Sequence, residues 1–253
     1  MKKLLLLVAL VLSLFITAQK INFKPTVKVE YNASLKLGEK YRHDQKFFLI
    51  GNSEDYYFAA DQNYLNDTKQ YKAKNGIDLT MLRDYFKERL IEKNGITNVF
   101  VNVIDSKIRY QEKVVLKWVL YSDTKMINGV KCQMAATNKY GRRWIAYFSK
   151  DYSQPVGPYK FTGLPGLIFE LYDTRDDYHF TLAKVEKYTD EFEFNLGQYK
   201  NFDKAKYLKA KYNYEFTPAG MPPMEGDMKR EYDSALEKLK VMYNNPLELK
   251  PFE

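Results

Sequence analysis

A chain of 253 residues with one cysteine and a formal net charge of +8 is long enough to bury a sizeable core, and it must do so without an internal disulfide. Two histidines beside that one cysteine are too few for the His/Cys-rich ligand sets of a zinc site. The 22 tyrosines and 16 phenylalanines are instead a load suited to filling a wide sheet. The lysines are spread along the chain, which reads as a solvated basic surface, with attraction to anionic head groups as the other option. No basic-aromatic motif speaks for nucleic acid.

Residues 1–18 carry Lys2 and Lys3, an apolar stretch from Leu4 to Ile16, and the small pair Thr17-Ala18. That is the layout of a secretory signal peptide, and its apolar part is too short to cross a membrane. No cysteine follows to take a lipid anchor, and no later apolar run has spanning length. The expectation is an exported protein, periplasmic or extracellular, in which 19–253 form one domain, since no linker or low-complexity seam divides them.

Val27 to Tyr31 alternates apolar and polar residues, and Lys46–Ile50 and Tyr56–Ala60 add strands on either side of Gly51-Asn52-Ser53. Asp61–Tyr71 reads as a surface loop or short helix. Asp78 stands where an N-cap would, with Leu79, Leu82, Phe86 and Leu90 at helical spacing and Asn94-Gly95 as a stop, which predicts a helix over 78–94. From Ile96 to Tyr188 the period is two: Val99, Val101 and Val103; Val114, Leu116, Trp118 and Leu120; Trp144, Ala146 and Phe148; Tyr178, Phe180 and Leu182. Asn128-Gly129 and Tyr140-Gly141 fall at hairpin positions. Cys132 alternates with Val130 and Met134, as a buried, inert thiol would.

The stretch Gly157–Asp173, GPYKFTGLPGLIFELYD, concentrates backbone devices before an apolar run. Gly157-Pro158 punctuates the chain, Tyr159–Thr162 is long enough for a short strand, and Pro165-Gly166 reads as the centre of a type II turn. Leu167–Tyr172, interrupted only by Glu170, reads as a strand buried on both faces. Gly157, Pro158, Gly163, Pro165 and Gly166 are thus expected to shape a rigid double turn, either as a purely structural device or as a lip over a site. At the C-terminus, Phe202–Tyr212 and Gly226–Tyr243 read as helices, the second with Met228, Tyr232, Ala235, Leu236, Leu239 and Met242 in one stripe. Asn244-Asn245-Pro246 ends it, and Leu247, Leu249 and Phe252 are expected to dock as a tail.

Gly163-Leu164-Pro165-Gly166-Leu167-Ile168 spells the signature of the GLPGLI family of exported bacterial proteins, and the chain resembles that family elsewhere. Gly141–Tyr147 resembles its G-R-x-W-x-A-aromatic strand. Gly157-Pro158 resembles its GP turn, and Lys131-Cys132-Gln133 and Asn245–Leu249 also fit. The family has no assigned activity. The resemblance therefore implies fold and compartment and carries no catalytic residue across.

These elements predict an α+β, mainly β architecture: a curved antiparallel sheet, a half-barrel-like meander covered by two or three helices. By architecture alone it resembles the LolA-type lipoprotein carriers. No constellation for chemistry stands out. Asp173, Asp176 and Asp177 with His179 are the best metal candidates, but Asp is common in turns for its own sake. No nucleophile elbow or phosphate loop occurs. Glu170 with Asp173 is a conceivable hydrolytic pair; facing solvent, or paired with Arg142 or Arg143, it is simply structural. No catalytic residue, cofactor or metal is assigned. The two-sided strands favour a surface binding a hydrophobic or extended ligand, a lipid, lipoprotein or peptide. Trp144, Tyr147, Tyr159, Phe161, Leu164, Pro165, Phe169, Glu170 and Tyr172 are the candidate contacts. The alternative is an interaction protein for an outer-membrane component.

Overall fold

The computed structural model describes residues 20–71, 85–103, 106–218 and 221–253, so the expected signal peptide and the start of the expected 78–94 helix lie outside the described residues. In chain order the elements are β1 (Lys20–Phe23), β2 (Val27–Gly38), β3 (Tyr41–Gly51), β4 (Tyr56–Ala60), α1 (Asp61–Asp67), β5 (Arg89–Lys93), β6 (Ile96–Val103), β7 (Ser106–Glu112), β8 (Val119–Ile127), β9 (Val130–Lys139), β10 (Arg142–Ser149), β11 (Leu167–Asp173), β12 (Tyr178–Lys187), β13 (Phe192–Asn195), β14 (Tyr199–Asn201), α2 (Lys204–Phe216) and α3 (Gly226–Met242). A 12-stranded sheet runs in the order β14-β7-β6-β5-β4-β3-β2-β12-β11-β10-β9-β8. It consists of two meanders, β2 to β7 and β8 to β12, fused where β2 pairs antiparallel with β12. Among the described residues, only β14 is parallel to its neighbour. The fold is α+β and mainly β, with a curved, unclosed sheet, as the strand pattern predicts.

Three hairpins close on left-handed pairs: Asn94-Gly95 (φ 53° and 75°), Asn128-Gly129 (51° and 78°) and Tyr140-Gly141 (56° and 74°). Positive φ at both central residues is the type I′ geometry whose twist matches paired strands. Strand alternation then divides the apolar residues between two cores. The larger, on the inner face, takes Val29, Tyr31, Phe47, Phe58, Leu90, Trp144, Phe148, Leu171 and Phe180, and is roofed by Phe161 and Leu164, by Tyr207 of α2 and by Leu247 of the tail. The smaller lies behind β3–β6 and collects Ile50, Tyr57, Ile91 and Phe100 under α1 and the β1–β13 ribbon.

Four local expectations are corrected by this packing. Arg89–Lys93 is strand β5, not the end of a helix, because Leu90 enters the inner core and Ile91 the outer one; only a strand points adjacent residues to opposite sides. Asn94-Gly95 is accordingly a hairpin turn. Val114, Leu116 and Trp118 precede β8 in a connection that carries the chain toward the opposite sheet edge, with the Trp118 indole N–H donating to the Thr162 carbonyl at 2.8 Å. Tyr159–Thr162 forms no strand, since Tyr159 sits at φ 59°. Finally, α3 forms as predicted, yet of its stripe only Leu236 is buried, and Met228 is 67% exposed.

Candidate ligand cavity and the charged node beside it

The 157–168 segment is folded onto the inner face of the sheet. Gly166 (φ 148°) lies so close to β10 that a Cβ there would overlap the Ser149 carbonyl, so the position excludes any side chain. Its N–H donates to the Leu164 carbonyl at 2.7 Å around Pro165, a three-residue turn in place of the expected type II turn. Gly157 and Pro158 are buried, while Gly163 and Pro165 are exposed. The buried Tyr31 hydroxyl donates to the Ile168 carbonyl at 2.6 Å.

Two cations then fasten the C-terminal tail. Arg142 spends its guanidinium on the Leu247 and Pro246 carbonyls, the Asn245 side chain and the Asp173 and Asp177 carboxylates, all within 3.0 Å. Its side chain is 1% exposed, and the planar fork suits several acceptors at once. Lys160, at 0% side-chain exposure, donates to Tyr110 Oη at 2.9 Å and Glu248 Oε1 at 2.5 Å, and pairs with Glu112. Lys204 bridges the same carboxylates, to Glu112 Oε2 at 2.8 Å and Glu248 Oε2 at 2.9 Å. Two ammoniums and two carboxylates form a closed ring within Tyr110, Tyr140 and Tyr159, whose faces lie 4.8–5.4 Å from Lys160 Nζ. Burial raises the Glu248 carboxyl, but Lys160 and Lys204 outweigh it and hold the group below the ordinary carboxylate value.

Tyr110, Tyr159 and Glu248 also form one wall of a cavity of about 560 Å³ between the sheet, α2 and the tail. Tyr85, Phe86, Tyr178, Tyr207, Tyr212, Phe216 and Tyr243 supply further aromatic rings. Besides Glu248 of the wall, the charged and amide groups in the lining are Glu88, just before β5, Lys211 and Glu215 of α2, Lys240 of α3, and Asn244. Lys211 Nζ pairs with Glu88 Oε1 and lies 4.0 Å from Glu215 Oε1. Glu88 Oε2 and the Tyr207 hydroxyl, on residues 6% and 2% exposed, have no hydrogen-bond partner. Burial lowers the Lys211 ammonium, but Glu88 and Glu215 reverse this and leave it well above its ordinary value. Burial raises the Glu215 carboxyl despite Lys211.

On the outer face, Glu170 pairs with Lys125 and with His179 Nε2 at 3.0 Å, and His179 Nδ1 meets Asp176 at 3.2 Å. The Glu170 hydrogen bond, reinforced by the charges of Glu170 and Asp176, lifts the His179 imidazole above its ordinary value although burial opposes it. Glu170 is thus not partnered by Arg142 or Arg143. Alternation along β11 also places it opposite Asp173, which belongs to Arg142, so the conceivable hydrolytic pair is split between the two faces. Asp173 and Asp177 are likewise committed to Arg142, away from His179. Cys132 is buried, and burial pushes its thiol up to about 11.

Of the expected contact residues, Trp144, Phe161, Leu164 and Phe169 are core residues at 0–1% exposure and do not line this cavity. Tyr147, Glu170 and Tyr172 share the outer face, Pro165 is exposed, and Tyr159 alone reaches the cavity. Sequence reasoning missed Glu88, Tyr207, Lys211, Lys160 and Glu248. Lys160, Lys211 and Glu248 carried a signal, a single charge flanked by apolar neighbours (Tyr159-Lys160-Phe161, Ala210-Lys211-Tyr212, Leu247-Glu248-Leu249); Glu88 and Tyr207 have no such contrast.

No protein-family model matches the chain, and no curated protein sequence matches it. Among solved structures it is similar to two of PNGF-II, in C2 and P21 crystals, with TM-scores of 0.55 and 0.56 at 13% identity. Each match covers 76% of this chain and 34% of the other, so the chain spans about a third of the length of those structures. At that identity the likeness speaks to the fold alone.

Proposed function

We propose that this is an exported, non-enzymatic binding protein that takes an amphipathic ligand, a lipid or a lipidated or extended peptide segment, into the cavity on the inner face of the sheet. The observation that carries this reading is the aromatic cavity of about 560 Å³ in which Glu88 Oε2 and the Tyr207 hydroxyl stand buried without partners. A volume of this size falls in the usual range for small-ligand sites, roughly 300–1,000 Å³. Each buried polar group left unsatisfied costs about 1–3 kcal/mol, which a ligand supplying the missing bond returns. Export is supported by the Lys2–Ala18 pattern, and kinship with the GLPGLI family by Gly163–Ile168. The expected binding surface around the 157–168 turn moves, in this reading, to the space between α2 and the tail.

Native mass spectrometry of protein purified gently from its own envelope tests the proposal, with thermal shift against envelope lipids and peptides beside it. A co-purifying mass that disappears in Leu208→Trp, a substitution that fills the cavity, is the expected result. A bare chain together with no stabilisation by any lipid or peptide overturns it.

A second reading, an interaction protein for an outer-membrane component, draws on exposed apolar side chains: Leu120 and Met126 on edge strand β8, and Met228 and Val241 on α3. No helix among the described residues is long and apolar enough to cross a membrane. A stoichiometric protein crosslinked to α3 or β8 in envelope extracts favours this reading.

A further inference from the structure

The two charged clusters, one buried and one half-buried, follow one plan with one difference. Around Lys160, two carboxylates (Glu112 and Glu248) face two ammoniums (Lys160 and Lys204), enclosed by tyrosine rings. In the cavity, two carboxylates (Glu88 and Glu215) face one ammonium, Lys211. The other described cations near it are committed or peripheral. Lys240 lines the cavity but pairs with Glu237 at 2.6 Å, and Lys87, whose charge reaches Glu215, is exposed. The unfilled place has a defined chemistry. Glu88 Oε2 requires a donor, and the Tyr207 hydroxyl beside the cavity is unengaged. The Tyr85, Tyr207 and Tyr243 rings line the cavity, and aromatic side chains of this kind attract cations. Glu88 is the most enclosed of the three, its side chain 8% exposed, and a buried charge is costly unless a counter-charge reaches it.

We propose that the cavity's ligand carries an ammonium group, such as a primary amine or a protonated amino head group, that completes the Glu88–Lys211–Glu215 cluster. The inference rests on the reading of the cavity as a ligand site and specifies the head group. An ammonium donates to Glu88 Oε2 and to the Tyr207 oxygen while its substituent lies along the aromatic wall. A carboxylate or phosphate head would instead meet two carboxylates.

The test is isothermal titration of the full chain at pH 7 with octylamine, octanol and octanoate, which share a tail and differ in head group. Octylamine is expected to bind at least tenfold more tightly than octanol, and octanoate more weakly than both. Glu88→Gln should lower octylamine affinity about tenfold and octanol affinity by much less, since octanol offers the same site a neutral donor. Because Glu88 also holds Lys211, Tyr207→Phe serves as the second variant, with an expected severalfold loss for octylamine that exceeds any loss for octanol. Octanol or octanoate binding as tightly as octylamine overturns the ammonium and leaves the cavity reading intact. Octylamine binding that neither variant weakens also overturns it, and failure of all three probes to bind overturns both readings.

Discussion

The Lys160 ring and the Lys211 cluster share a wall at Tyr110, Tyr159 and Glu248, yet they are opposite solutions to burying charge. In the first, every ammonium and carboxylate has a counter-ion, and the tail residue Glu248 closes the ring, with only the enclosing Tyr140 hydroxyl left without a partner. In the second, a carboxylate oxygen and a phenol lack partners beside an open volume. A satisfied buried network holds a structure together, whereas a half-satisfied one costs stability unless something else completes it. The contrast separates a structural lock from a candidate site in a molecule where both are made of Lys, Glu and Tyr.

Breaking the lock should have the largest effects. Lys160→Met leaves Glu112 and Glu248 facing one cation, and we expect a loss of about 3–5 kcal/mol, read as a drop in the urea midpoint. Arg142→Met frees Asp173 and Asp177 and unfastens Asn245, Pro246 and Leu247. The expected cost is of the same order, about 3 kcal/mol or more, with earlier proteolysis of the tail; a tail as protected as in the parent would contradict the assignment.

A tyrosine pair sharpens the comparison more finely. Tyr31→Phe removes a hydroxyl that satisfies the Ile168 carbonyl at 2.6 Å and should cost about 1–2 kcal/mol. Tyr207→Phe removes a hydroxyl with no partner and should be neutral or stabilising by up to about 1 kcal/mol. Equal losses in thermal denaturation would erase the distinction between the two regions.

The smallest effect belongs to the outer-face cluster, an exposed control. His179 is raised in the folded state from its ordinary value of 6.5, so its imidazolium stabilises the fold. That contribution is full below about pH 6.5 and is lost as pH rises through the higher folded value. With the side chain 33% exposed, the swing should stay under about 1 kcal/mol. His179→Gln should flatten the fall in stability above about pH 6.5; an unchanged pH profile would rule out a stabilising Glu170–His179 pair.

Local patterns carried most of the architecture. Period-two runs and glycine-containing turn pairs define β2–β4, β6 and β9–β12 without tertiary information, because alternation is itself the record of a sheet with a buried face. The same logic failed at Leu90-Ile91, where both neighbours are buried, on opposite faces of the sheet, and their periodicity resembles that of a helix. It failed again at Tyr159–Thr162, whose apolar residues cap a core instead of pairing. Local pattern was therefore enough for the class of fold, the burial of Cys132, the strand after Gly166 and the two C-terminal helices. It could not foretell that Arg142 and Lys160 reach across 88 to 105 residues to the tail, or that Glu88 and Lys211, 123 residues apart, meet beside a cavity. Ion pairing and cavity shape depend on distances in space, and no local periodicity encodes those.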